Sequence, residues 1–212
     1  MKKLISKYWL VALFSLFVLS VAGYSYIVDY RPEYHQEVQK ASQLASVLAK
    51  ATEVFHVDER TKEADCKIEG PLPDHGCSPG DVFENATREI VCVQGYTKTV
   101  RSVSTATRKK VFAEYGISWP QPYGSYEVDH LIPLSLGGSN DIANLFPEAA
   151  NPYPGFKEKD VVENYLREHV CSGDIDLKAA QLQIANNWLE VYNNLSETTI
   201  KDYKSRYKTW AP

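Results

Sequence analysis

The first 28 residues contain no acid, and from Tyr8 to Val28 there is no charge of either sign. The charges before Asp29 are Lys2, Lys3 and Lys7. A basic start (1–7) followed by ~20 apolar residues (8–28) reads as a membrane anchor or a secretory signal, not as a core helix. Ser20-Val21-Ala22 would serve as a cleavage site, whereas Tyr24, Tyr26 and Tyr30 have the character of interfacial aromatics. In either case the lysines stay on the cytoplasmic side and the remainder is exported. The sequence also lacks any C-x-x-C pair, which argues against a zinc knuckle. Positive charge is not in excess: the net charge is −4. Setting aside the three N-terminal lysines leaves 20 basic residues against 27 acidic ones, about −7. That is the wrong sign for a general nucleic-acid coat. There is no internal repeat and no low-complexity segment.

What is present is a globular composition, 44% hydrophobic and 24% charged over 212 residues. This suits one domain with extensions. Four cysteines remain: Cys66, Cys77, Cys92 and Cys171. An even number in an exported chain points to two disulfides, with three connectivities open. The favoured pairing is Cys66–Cys77, closing a short loop, with Cys92–Cys171 tying distant segments together.

Residues 33–56 carry Ala41, Leu44, Leu48, Ala51 and Phe55 at helical spacing, which predicts an amphipathic helix. Residues 57–84 read as loop. "IVCVQGYTKTVRSV" (90–103) alternates well enough to predict one or two strands around Gly95. Ser104 or Thr105 caps a predicted helix running to about Tyr115. "YEVDHLIPLSL" and "ANLF" read as two short strands joined by the turn cluster "GGSND". Helical patterns follow in "KEKDVVENYLREHV", stopped by Gly173, in "LKAAQLQIANNWLEVYNNL", and from Ser196 to Tyr207. The expected class is α+β, with one domain over 57–212 and its centre at about 92–172.

Acid is absent once more between Glu89 and Glu114, where Lys98, Arg101, Arg108, Lys109 and Lys110 stand. In an otherwise acidic chain these form a candidate phosphate-binding rim. A solvated basic helix face is the competing reading for Arg108 to Lys110. Nothing resembles a base-reading element, so any nucleic-acid contact would have low sequence specificity.

The strongest local signal is "YEVDHLIPLSLGGSNDIANLFPE", Tyr126 to Glu148. It sets Asp129 and His130 inside an apolar strand, then a Gly-Gly turn, then Asn144. Successive strand side chains point to opposite faces, so Asp129 and His130 share a site only at a strand end or a bend. The turn brings Asn144 back towards His130, where an amide that both donates and accepts can tie the loop. A carboxylate beside an imidazole suits metal-assisted hydrolysis: the carboxylate holds a hard divalent cation and the neutral imidazole takes a proton from water.

These residues resemble the centre of the HNH endonuclease family, the ββα-metal nucleases, in a bacterial exported branch. The resemblance covers roughly residues 65–195. It implies two strands and a helix around one divalent cation, Mg²⁺ first, with Mn²⁺ or Zn²⁺ as alternatives. It implies His130 as general base, Asp129 as metal ligand and Asn144 as the residue that orders the loop. DNA is the implied partner, with RNA left open. The implied location is a bacterial inner membrane facing the periplasm or the exterior, or secretion if the signal is cleaved. One position departs: the family places His or Asn near the start of the helix, and Lys157 stands where His is expected. Asn151 is the replacement ligand expected here, with Glu158 and Asp160 as others. The rival reading is an inactive HNH-like fold kept as an envelope binding or scaffold module.

Overall fold

In the computed structural model, residues 59–207 are described, all within the unit Phe55–Pro212. The expected segments 1–7, 8–28 and 33–56 lie outside them. Among the described residues no helix is long and apolar enough to cross a membrane.

The described residues begin with irregular backbone from 59 to 87, held by a disulfide between Cys66 and Cys77. Two short helices follow, α1 (Arg88–Val91) and α2 (Tyr96–Val100), then α3 (Thr105–Glu114). Strand β1 (Tyr126–His130) leads through a 3₁₀ turn at Leu134–Leu136 and another at Ile142–Asn144 into β2 (Leu145–Ala149). Three helices end the described chain: α4 (Phe156–Ser172), α5 (Leu177–Asn194) and α6 (Glu197–Arg206). The class is α+β, with a two-stranded antiparallel sheet and helices around it.

One expectation fails. Residues 90–103 form α1 and α2, not strands. Gly95 adopts φ 83° as the N-cap of α2, turning the chain where a strand would run straight. The β-branched residues Thr97, Thr99 and Val100 give the strand-like pattern. Packing overrides that weak preference, with Val91 fully buried and Tyr96 against the same apolar cluster. The α3 start falls where expected: Ser104 Oγ accepts the Thr107 N–H at 3.0 Å.

β1 and β2 pair in strict register, Tyr126 opposite Ala149 and His130 opposite Leu145. Glu127 and Asp129 therefore share one face with Glu148, and His130 leaves from the other. The apolar core gathers Leu131, Ile132, Leu136 and Phe146 from this hairpin region against Val162 and Leu166 of α4 and Ile184 and Trp188 of α5. Glu168 on α4 anchors α6 by accepting from Tyr203 (2.8 Å), Arg206 (2.6 Å) and Tyr207. The second disulfide, Cys92–Cys171, closes 79 residues and ties the segment between α1 and α2 to the end of α4. Chain-entropy arguments assign it about 4.5 kcal/mol, against about 3 kcal/mol for the shorter Cys66–Cys77 loop. Both pairings are those expected, and two disulfides fit an oxidising, exported environment.

Candidate functional site

The loop after β1 is built around one amide. Asn144 is fully buried. Its Oδ1 accepts the Ile132 N–H at 2.9 Å, and its Nδ2 donates to the carbonyls of Ile132 and Ser139, each at 2.9 Å. The Leu131 N–H reaches the Asn144 carbonyl at 2.8 Å. Gly137 and Gly138 make this closure possible. Gly137 sits at φ 81°, a region that favours glycine. A Cβ on Gly138 would overlap the Ile132 carbonyl oxygen and meet Asn144 Nδ2 at 2.8 Å. Asn144 thus orders the loop, as expected, and every polar atom of its amide is engaged within the loop.

His130 is 4% exposed and ends β1. Its Nε2 lies 3.2 Å from Asn140 Oδ1. Asn140 is itself fixed: its Nδ2 donates to the Val100 carbonyl at 2.7 Å, and its Oδ1 accepts the Ser102 N–H at 3.2 Å. With Oδ1 an acceptor, Nε2 carries the ring hydrogen and Nδ1 keeps the lone pair. Burial pushes the imidazole down to about 4, against the upward pull of Asp129 and Asn140, with Arg101 and Lys159 pushing the same way as burial. At neutral pH His130 is an uncharged acceptor.

Asp129 leaves the opposite face of β1, towards α4. Its carboxylate meets Lys159, whose side chain is 0% exposed. Lys159 Nζ donates to Asp129 Oδ2 at 2.7 Å, to the His130 carbonyl at 2.8 Å and to Glu163. One ammonium thus grips both members of the Asp-His pair. Burial alone would raise Asp129, but Lys159 overrides it and holds the carboxyl at about 2. Burial would likewise lower Lys159, and Asp129, Glu163 and Glu148 hold it well above its ordinary value, so it stays charged.

Glu148 completes the face. It is 1% exposed. The Asp129 carboxyl lies against it, and a protonated Glu148 donates to Asp129. Burial drives Glu148 well above its usual range. Lys159 opposes that rise, and Asp129 and Glu163 add to it. Asp160 and Glu127 are raised as well, by burial first and then by neighbouring carboxyls. Five carboxyl groups, Glu127, Asp129, Glu148, Asp160 and Glu163, therefore feel the charge of Lys159, with Arg101 and Lys157 acting on this face as well.

The expected residues fall into three groups. Asp129, His130 and Asn144 all lie at the end of β1, but the strand stays regular there and sends Asp129 and His130 to opposite faces, so the expected bend that would join them in one site is absent. Arg101 joins them through its charge, which acts on His130 and Glu127. Lys98 stands three residues before it on α2 and is exposed. Arg108 and Lys109 lie on the exposed side of α3, and no contact links them to Asp129 or His130. Asn151 is exposed on the loop before α4 and makes no hydrogen bond. Lys157 is exposed too, so the lysine that faces Asp129 is Lys159. Glu158 turns away, accepting the Gly155 N–H at 3.0 Å and pairing with Lys204 at 2.7 Å. His169 packs at a tilt against Tyr165, with 4.3 Å between ring centroids, and its Nδ1 lies 3.2 Å from Asp174 Oδ2.

Sequence reasoning missed Lys159, Glu163, Glu148 and Asn140. Lys159 and Glu163 are one turn apart on α4, a spacing visible in the sequence. Glu148 becomes visible only once the register places it opposite Glu127.

Among the described residues no three His, Cys, Asp or Glu side chains converge at coordination geometry. The chemistry still fits a largely hydrated divalent ion. Mg²⁺ takes one or two carboxylates and keeps several waters. Asp129 has an oxygen outside the Lys159 bond, and the surplus of carboxyls favours added positive charge. Comparison with protein-family models, with curated proteins and with solved structures gave no match to this chain.

Proposed function

We propose that this chain is a metal-dependent endonuclease of the HNH type, tethered to or exported across a membrane by residues 8–28, that cuts DNA with little sequence specificity. The observation that carries the proposal is the neutral, buried His130, held by Asn140 through Nε2 beside a carboxylate gripped by Lys159. A ring fixed in that tautomer offers Nδ1 to a water proton. Asn144 fixes the loop that begins at Leu131. Lys159 fixes the Asp129 carboxylate and the His130 backbone, so the two cannot shift relative to each other. Arg101 adds positive charge where a phosphate would approach. Asp129 would hold the divalent cation through its remaining oxygen, with Asp160 and Glu163 the nearest further donors on α4. When bound, the cation supplies charge stabilisation for the phosphate and the leaving oxygen. A phosphate approaching five carboxyls with one saturated ammonium needs that extra charge.

A second reading has its own support. Lys159 already satisfies Asp129 Oδ2, as a structural ion pair in a binding or scaffold module would. Plasmid cleavage separates the two. The full chain, with disulfides intact, is assayed with Mg²⁺, Mn²⁺ and EDTA beside His130→Ala. Metal-dependent nicking that drops by about 10²–10⁴ in the variant supports the nuclease. A folded chain that fails to cut with either metal overturns it in favour of the binding module.

A further inference from the structure

A cavity of about 470 Å³ opens beside the site, between the start of α2 and the second half of α4. Its polar walls are Gln94, Thr97, Lys98 and Arg167, and its apolar walls include Val93 and Tyr96. No acid lines it. Lys98 and Arg167 come from different elements, and neither forms an ion pair within 4.0 Å among the described residues. Two like charges converging on one cavity without a carboxylate are the reverse of the Asp129 cluster.

Cys92 lines the cavity and is bonded to Cys171, four residues after Arg167 on the same helix. That crosslink ties the backbone leading into α2 to the end of α4, the two segments that carry Lys98 and Arg167. The cavity is also close to the reacting residues along both elements. Arg101, whose charge acts on His130, follows Lys98 by three residues. Glu163, which accepts from Lys159, precedes Arg167 by one turn, ~5 Å of helix axis.

We propose that this cavity is a second, non-reacting subsite that binds a phosphodiester flanking the one cut at His130. Lys98 and Arg167 neutralise the flanking phosphate, Thr97 and Gln94 donate to its oxygens, and Val93 and Tyr96 take the apolar side of the adjoining nucleotide. Backbone contacts of this kind position a strand without reading its sequence. The proposal rests on the nuclease reading and adds to it a polarity: the strand must continue on the α2–α4 side of the cut.

The test is binding of a fluorescein-labelled single-stranded 20-mer by the full-length His130→Ala chain in Mg²⁺, followed by anisotropy from 50 to 300 mM NaCl. Each cation on a single strand contributes about 0.7 to the log–log salt slope. Lys98→Ala with Arg167→Ala is expected to flatten the slope by about 1.4 and weaken binding about tenfold or more at low salt. Lys98→Arg with Arg167→Lys should keep the slope, and Lys178→Ala, an exposed lysine on α5, should leave both unchanged. In chains with His130 intact, the double alanine variant should raise KM for the 20-mer with kcat retained. An unchanged slope in a chain that still binds and cuts the 20-mer overturns the subsite and leaves the nuclease standing. Equal loss in the charge-conserving pair assigns the residues a structural role and overturns it too. If the parent chain neither binds nor cuts the 20-mer, the nuclease reading falls and takes the subsite with it.

Discussion

The two faces of β1 differ in how completely they satisfy themselves. On the loop side, Asn144 makes three side-chain hydrogen bonds, and Asn140 gives His130 its tautomer. On the α4 side, five carboxyls crowd around Lys159, and Glu148 is buried with another carboxyl, Asp129, as its neighbour. A region that closes its own hydrogen bonds is explained by folding. Carboxyls buried together are costly, and native folds tolerate them at few places. The contrast separates a loop that closes its own hydrogen bonds from a face that keeps a surplus of carboxyls around Lys159.

The largest effect that would test this contrast is on the charged face. Lys159→Ala removes the cation that, among the described residues, pairs with Asp129 and Glu163, and breaking a buried ion pair costs about 3–5 kcal/mol. Urea unfolding should show that loss, and more of it at pH 8 than at pH 5, because acid neutralises the stranded carboxyls. Equal losses at both pH values would mean that Lys159 acts through packing alone. Next comes the loop. Asn144→Ala leaves two buried carbonyls and one N–H without their partner, at about 3 kcal/mol. That cost should be the same at pH 5 and pH 8, since no titrating group is bonded to the amide. A pH-dependent cost would join the two faces into one network.

The smallest effect is the pH trend of the unaltered protein. Glu148 titrates near 4.5 when unfolded and well above that when folded. Above pH 4.5 the folded chain holds a proton the unfolded chain has lost, so stability falls as pH rises towards the folded value. His130 acts oppositely. Its ring is lowered from 6.5 to about 4, so stability rises with pH across that window and is level above it. The two trends compete below pH 6.5, and above it the carboxyl trend stands alone at about 1 kcal/mol per pH unit or less. Melting without divalent ions should therefore show Tm falling from pH 6.5 to 8. Glu148→Gln should reduce the fall, and Asp160 and Glu163, raised to about 8 and about 7, should sustain what remains. A fall unchanged in that variant would place the whole trend in Asp160 and Glu163.

Much of this fold is legible in the sequence because it rests on local rules. The apolar stripes of α4 and α5, the Ser104 cap and the Gly-Gly turn each depend on a few neighbouring residues. The segment 90–103 is the instructive failure. Its alternation is that of a strand, but Gly95 and the Cys92–Cys171 crosslink commit it to two short helices. The site divides in the same way. Asp129, His130 and Asn144 stand within sixteen residues, where the distances between them carry information. Asn151 was expected as a ligand from its nearness in sequence, and it points to solvent. Lys159, two residues past the lysine singled out, reaches Asp129 because helical periodicity turns it inward.

By itself, then, the sequence determined the Asp-His pair, the loop that carries it and an even set of four cysteines. Each of these is fixed by short-range stereochemistry or by composition. Tertiary structure alone decided which cation faces Asp129, which tautomer His130 adopts, and that Glu148 and Glu163 crowd the same face. Those outcomes depend on strand register and on how α4 docks against the hairpin. Such long-range packing is shared by many residues and is written in no single stretch of them.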